Sequence, residues 1–321
     1  MTTTSTNAAT PKMLAGLIGR GIQHSMTPAM QEQEAREHGI RLHYQLIDLA
    51  EPAAGEQDLG QLLQALRAIG FAGFNVTFPY KQAIMPLLDD LSDEARQIGA
   101  VNTVVNVGGR LVGHNTDSSG WAWGFQRALP NADLSRVVLL GAGGAGSAVA
   151  DAALRMGVGH LTVVDIDAAR IDALASRLKE QHGAGRVGAT TDIAAALDGA
   201  TGLIHATPTG MYSVPGLPLP EELLRPSLWV SEIVYFPLET ALLKAARARG
   251  CATADGGGMA VGQAVDAFRL FTGREPDAGS PAARLVHHLR YTISTITRQG
   301  IGHGSRRHCS CHHRFGTAQT G

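Results

Sequence analysis

The stretch of this chain with the most specific chemistry is G-A-G-G-A-G at residues 141–146. Gly141, Gly143 and Gly146 satisfy G-x-G-x-x-G, and Gly144 adds a further glycine to the turn. The first glycine permits a turn that a side chain would obstruct, the second lets backbone approach a pyrophosphate, and the third lets the next helix pack close to the strand. The N–H groups at that helix start then face the phosphates. Before the turn, Val137-Val-Leu-Leu140 reads as a buried strand; after it, Ala148, Ala152 and Leu154 open a helix. One βαβ unit later, Leu161-Thr-Val-Val-Asp165 reads as a second strand ending in an acid, close to the ~20-residue offset expected for a carboxylate on a ribose. The two parts together point to a dinucleotide.

Upstream, three polar motifs punctuate the first half. They are Ser25-Met-Thr27-Pro28 after His24, the run 73–81 (G-F-N-V-T-F-P-Y-K), and the pair 99–103 (G-A-V-N-T) with 113–117 (G-H-N-T-D). Each falls where a strand or hairpin gives way to a loop. Singly they read as caps and Asx turns. Together, clustered hydroxyls and amides at strand ends suit a small polyhydroxylated ligand, because every ligand hydroxyl needs a partner once buried.

The elements that must position these groups follow from periodicity. Strands are expected at 13–18, 43–48, 73–77, 101–107 with 111–112, 137–140, 161–165, 202–206 and 229–234. Helices are expected from Thr27 to His38, and at 59–69, 81–88, 121–129, 193–197, 239–249, 259–272 and 285–297. The fold class is therefore α/β, with one α/β layer before the glycine turn and a nucleotide-binding half after it. Residues 298–321 are rich in Gly, His, Arg and Cys and lack periodicity, so they read as a disordered tail. Cys309, Cys311 and the neighbouring histidines match no structural-zinc spacing, so no metal is expected.

The motifs resemble the shikimate dehydrogenase family over about residues 14–276. They are S-x-T at 25–27, N-V-T-x-P-x-K at 75–81, G-A-V-N-T at 99–103, N-T-D at 115–117, G-A-G-G-A at 141–145, A-T-P-x-G-M at 206–211 and Q-A-x-x-A-F at 263–268. Thr27-Pro-Ala-Met30, the D-x-D-x-x-R at 165–170 and the run 263–273 are most similar to the NAD-dependent quinate/shikimate dehydrogenases. The resemblance implies two domains flanking a cleft. A substrate domain would take 12–116 plus 259–297, and a Rossmann NAD domain 117–258; residues 1–11, rich in Thr, Ser and Ala and without an apolar stretch, read as a disordered leader.

It also implies roles. Lys81 and Asp117 match the catalytic pair, and oxidising a secondary alcohol does need a base for the hydroxyl proton. Desolvation favours a neutral amine and an adjacent carboxylate favours a charged one. Ser25 and Thr27 would hold the substrate carboxylate; Thr77, Asn102 and Gln263 the ring hydroxyls. Tyr235 reads equally as substrate contact or packing. Gly141, Ala142, Gly143, Gly144 and Ala145 would line the pyrophosphate. Thr207, Pro208, Met211, Val234, Gly256 and Met259 would complete the dinucleotide site. Asp165 accepts from a ribose 2′-hydroxyl but repels a 2′-phosphate. The family's NADP enzymes typically carry Asn-Arg-Thr where this chain has Asp165-Ile-Asp167, which argues for NAD; Arg170 would stack on adenine.

The chain departs from the family pattern at His205, usually Asn, which reads as a satisfied strand-end residue. Gly257, Gly258 and Gly262 are expected to loosen the loop at the nicotinamide end. The expected reaction is NAD-dependent oxidation of the C3 hydroxyl of quinate or shikimate. The alternatives are a biosynthetic shikimate dehydrogenase, a relative acting on an aminated analogue, and a non-catalytic ligand sensor.

Composition narrows the classes. The 321 residues carry 27 basic and 28 acidic side chains, so neither nucleic acid nor a membrane surface is favoured as partner. No apolar run reaches the ~18 residues of a membrane span. Three cysteines give no disulfide framework, which favours a cytoplasmic protein; a monomer or homodimer is expected.

Overall fold

The computed structural model describes residues 11–49 and 56–276; the expected leader, the expected helix at 285–297 and the cysteine-containing tail lie outside them. The described residues are built on two six-stranded sheets. The first contains β1 (Lys12–Gly19), β2 (Arg41–Asp48), β3 (Gly73–Val76), β4 (Asp90–Leu91), β5 (Thr103–Val107) and β6 (Arg110–His114), in the order β2-β1-β3-β5-β6-β4. β1 pairs parallel with β2 and β3, while β3, β5 and β6 run antiparallel. Between β5 and β6, Gly108 and Gly109 both take positive φ, the conformation a two-residue hairpin turn requires.

The second sheet is wholly parallel. It holds β7 (Arg136–Leu140), β8 (His160–Val164), β9 (Val187–Thr190), β10 (Gly202–His205), β11 (Trp229–Glu232) and β12 (Thr253–Ala254), in the order β12-β11-β10-β7-β8-β9. The chain reverses its direction of winding between β7 and β10, and doubly wound sheets bind ligands at that crevice. β7 is covered on both faces: Val137 and Leu139 face one core cluster, Val138 and Leu140 the other. That is why it is a continuous apolar run and not an alternating one.

Helices α1 (Thr27–Glu37), α2 (Glu56–Ile69) and α3 (Asp93–Ile98) connect strands of the first sheet. The second sheet is flanked by α5 (Gly144–Arg155), α6 (Ala168–His182), α7 (Ile193–Leu197) and α8 (Ala241–Ala248). α4 (Asp117–Ala128) leads from one sheet to the other, and α9 (Gly257–Thr272) returns to pack along it.

Four expectations need correction. The segment 81–88 is a series of turns ending in a 3₁₀ turn at Met85–Leu87, because the Lys81 carbonyl accepts from Val101 N–H (2.8 Å) instead of continuing a helix. The helix expected to start at Trp121 starts at Asp117, so the acid of the N-T-D motif is its first residue. α3, β4 and β9 were not expected. The glycines at 257, 258 and 262 loosen nothing. They lie within α9, where a Cβ on Gly258 would stand 2.9 Å from Gly124 Cα and one on Gly262 2.7 Å from Gly120 Cα. Gly258 and Gly262 are the contact face between α9 and α4.

Candidate active site

The central feature is an ion pair between the two motifs of the first half. Lys81 Nζ donates to Asp117 Oδ2 at 2.5 Å, with the side chains only 15% and 5% exposed. Each partner is held from behind. Lys81 is tied at its carbonyl to Val101. Asp117 N–H donates to Asn115 Oδ1 (3.0 Å), and Asn115 Nδ2 donates to the Ala100 carbonyl (2.9 Å). The G-A-V-N-T and N-T-D motifs thus fix both members of the pair.

Behind the pair runs a buried chain of amides and hydroxyls. Tyr44 O–H donates to Asn75 Oδ1 (2.6 Å), Asn75 Nδ2 to Thr103 Oγ1 (2.9 Å), and Thr103 Oγ1 to Asn102 Oδ1 (3.0 Å). Asn102 Oδ1 also receives Thr116 N–H (2.8 Å), while Asn102 Nδ2 donates to Thr116 Oγ1 (3.0 Å). Thr116 Oγ1 passes the chain on to the Gln263 carbonyl (3.1 Å) in α9. Asn102 therefore has its oxygen engaged within the protein and an amide hydrogen to spare. Tyr44, Asn75, Thr103 and Thr116 are the part of this site that motif reading missed. Asn75, Thr103 and Thr116 are letters of the recognised motifs with no individual role assigned by the sequence, and Tyr44 sits in a strand whose alternation conceals it.

Ser25 and Thr27 are joined at the start of α1: Ser25 Oγ donates to Thr27 Oγ1 (3.1 Å) and accepts Thr27 N–H (3.3 Å). Tyr235 follows β11 in the second half of the chain and reaches the first. Burial pushes its phenol above the ordinary range, a hydrogen bond with Ser25 pulls it back, and the Asp117 carboxylate adds to the rise. Tyr44 is raised well above its usual value by burial and by the proximity of Tyr235. Ser25, Tyr44, Asp117 and Tyr235 thus converge, with Lys81 joined through Asp117 and Asn102 and Gln263 through Thr116. Thr77 directly follows β3, four residues before Lys81, and turns its methyl toward Gly19.

The glycine turn meets this cluster directly. A Cβ on Gly144 would stand 3.0 Å from Lys81 Cβ and 3.4 Å from its Cδ, so this glycine leaves room for the lysine stem. Gly141 has φ +113°, and Gly146 lies so close to the Gly141 carbonyl that no side chain would fit. Gly143 caps α5 without any side-chain hydrogen bond and has open space where its Cβ would be, the form of an anion cradle. At the rim, Asp165 Oδ2 accepts Ala142 N–H (2.7 Å) and Oδ1 accepts Asp167 N–H (3.1 Å). Each oxygen keeps a lone pair for a ribose hydroxyl. Ile166 is fully exposed, and Arg170 Nε lies 3.3 Å from Asp167 Oδ2. Ala145 sits in the first turn of α5.

Thr207, Pro208 and Met211 lie on the loop after β10, beside the glycine turn, where Ala206 and Thr207 back against Gly141. Gly256 packs on the carbonyls of Ile233 and Val234. Met259 is buried in the core shared with Trp121 and Ile204. His205 is fully buried and hydrogen-bonded on both ring nitrogens, to Glu232 and Thr207.

Comparison with known proteins agrees with this fold. The profile of the shikimate dehydrogenase substrate binding domain matches residues 17–104, and that of the ThiF family matches 122–179, the stretch holding the glycine turn. The chain is 57% identical over 267 residues to a shikimate dehydrogenase (NADP(+)) of Streptomyces avermitilis, covering 83% of this chain and 92% of that one. It is 49% identical over 271 residues to a quinate/shikimate dehydrogenase (NAD(+)) of Corynebacterium glutamicum, covering 83% and 95%. Among solved structures, the quinate dehydrogenase from Corynebacterium glutamicum in complex with NAD superposes with a TM-score of 0.77 at 46% identity, covering 89% of this chain and 99% of that one. This chain is a two-domain α/β oxidoreductase that belongs to the shikimate/quinate dehydrogenase family.

Proposed function

We propose that the protein oxidises the C3 hydroxyl of quinate or shikimate with NAD, Lys81 serving as the base. The observation that carries this reading is the contact of Lys81 with both halves of the site: its ammonium on Asp117, its stem against Gly144 of the dinucleotide turn. A base placed there lies where a substrate hydroxyl and a nicotinamide would meet. The residues present fit a dinucleotide: an uncapped helix start, an open glycine cradle and a carboxylate at the rim. When bound, NAD supplies the acceptor for the hydride that leaves the substrate carbon. Lys81, once neutral, takes the hydroxyl proton; Asp117 holds the amine in place and stabilises the ammonium that forms. Ser25, Thr27 and Tyr235 take the carboxylate end, and Thr77, Asn102 and Gln263 the ring hydroxyls. The substrate domain takes residues 12–116 and α9 from Met259 onward, and the dinucleotide domain 117–258.

For the cofactor, Asp165 and Asp167 would set two carboxylates against a 2′-phosphate, and the Arg170 guanidinium is directed to Asp167. The relatives divide between the two dinucleotides, so the measurement that decides is kcat/KM for quinate and shikimate, each with NAD and with NADP. NAD is expected to exceed NADP by at least about tenfold, the effect of one uncompensated like-charge contact. The double substitution Asp165→Asn with Ile166→Arg is expected to reverse that preference, because it removes one carboxylate and adds a guanidinium at a fully exposed position. Equal use of both dinucleotides by the native protein would overturn the assignment to NAD.

Tyr235→Phe tests the carboxylate end. Loss of its hydroxyl is expected to raise KM for the acid about fivefold, the value of one net hydrogen bond, and leave dinucleotide affinity unchanged. A rise in dinucleotide Kd with no change in KM for the acid would move Tyr235 to the other half of the site.

A further inference from the structure

We infer that His205 is a positioning residue for the dinucleotide loop and acts through the hydroxyl of Thr207. The inference rests on the reading of residues 207–211 as part of the dinucleotide site. His205 closes β10, and both it and Glu232 are without solvent exposure. His205 Nδ1 lies 2.8 Å from Glu232 Oε1, and His205 Nε2 lies 2.5 Å from Thr207 Oγ1. The other neighbours of Glu232 are donors. Val234 N–H reaches Oε1 at 3.0 Å and Thr240 O–H reaches Oε2 at 2.9 Å. A carboxylate surrounded in this way is the acceptor on all sides, so the His205 Nδ1–H points to it, and in the neutral imidazole Nε2 then accepts the Thr207 proton. With its own proton committed, the Thr207 oxygen faces its next donor, Thr209 N–H, at 3.3 Å. The line Glu232–His205–Thr207 thereby fixes the first turn of the loop.

The far end of the same loop rests on the same support. Gly210 has φ +103°, and a Cβ placed on it would stand 3.4 Å from the Cβ of Thr240, the residue that donates to Glu232 and caps α8. Both ends of the loop are thus referred to one buried carboxylate on β11. A polar chain of this length inside a core is costly unless every member is satisfied, and here each is. A strand-end histidine kept only for packing would need neither the hydroxyl nor the carboxylate.

Two amides separate the contacts of the imidazole. Asn at 205 can place an N–H near the Nδ1 position and keep Glu232 paired, but falls short of Thr207. Gln at 205 can reach the Nε2 position and keep Thr207. The experiment is direct binding of NADH, followed by fluorescence, to the native protein, His205→Asn, His205→Gln, Thr207→Val and the double variant His205→Asn with Thr207→Val. Thermal melting confirms folding. His205→Asn and Thr207→Val are each expected to weaken NADH about fivefold, the double variant no more than either alone, and His205→Gln less than His205→Asn. Independent effects that multiply in the double variant, or native affinity in His205→Asn, would overturn the inference. If the native protein itself fails to bind NADH, it is the dinucleotide reading of the loop that falls. If His205→Asn does not fold, the Thr207→Val and His205→Gln pair still decides: native affinity in Thr207→Val removes the link through which His205 is said to act.

Discussion

Replacing Lys81 by Arg is expected to lower kcat with either acid by about 10²–10⁴-fold and leave NADH affinity and thermal stability close to native. This range is the usual contribution of a positioned base. Arg is the informative choice. Lys81→Ala would leave Asp117, 5% exposed, as a buried carboxylate without its partner, and lost folding would then mimic lost catalysis. A guanidinium keeps the charge beside Asp117 but cannot give up its proton at any accessible pH. The substitution therefore removes the base and preserves the pair. Turnover within about fivefold of native would exclude proton transfer to Lys81 and leave the lysine as an electrostatic contact only. Asp117→Asn completes the test. The amide can hold the amine but cannot stabilise the ammonium, so its effect is expected on kcat more than on KM.

What could be read from the sequence followed from how local the chemistry is. The glycine turn was legible because a backbone that must approach a phosphate needs glycines at fixed offsets, and Asp165 because the next strand end must supply the ribose acceptor. Lys81 and Asp117 lie 36 residues apart, and nothing in their spacing brings them together. The resemblance to a family named them as a pair, and the geometry now shows them 2.5 Å apart at the point where β3 and β6 run out. Taken alone, N-T-D is turn chemistry, yet the same chemistry starts a helix at Asp117. The second-half network was the least legible. His205, Glu232 and Thr240 come together only because β10 and β11 are parallel neighbours, with His205 paired opposite Glu232. α3 could have been found: Ser92 accepts Ala95 N–H as its N-cap, Asp93 and Glu94 fill its first turn, and Gly99 closes it in the left-handed conformation.

Glycine is where local reading was most misleading, and it yields the second large expectation. Gly262→Val is expected to lower the melting temperature by roughly 6 °C or more, taking ~3 kcal/mol for a side chain forced into a packed interface and ~2–4 °C for each kcal/mol in a chain of this size. A Cβ on Gly262 would lie 2.7 Å from Gly120 Cα, and one on Gly120 would lie 2.5 Å from the Gln263 backbone nitrogen. Gly124 would place its Cβ 2.6 Å from the Gly258 carbonyl carbon. All these obstacles are backbone, which cannot rotate aside. The control is Gly60→Ala in α2, where nothing lies within 4 Å of the added methyl and helix propensity is expected to add up to ~1 kcal/mol of stability. The same kind of substitution should thus change sign between two helices. If Gly262→Val melted with the native protein, α4 and α9 would not be held together by this seam. The seam also carries function. α4 begins with Asp117, and α9 bears Gln263, whose carbonyl accepts from Thr116. Prising the helices apart at Gly262 is expected to raise KM for the acid as well as lower stability, while Gly60→Ala leaves catalysis unchanged. A glycine that gives the chain freedom and one that gives its neighbour room are the same letter in a sequence; only the atom 2.7 Å away distinguishes them.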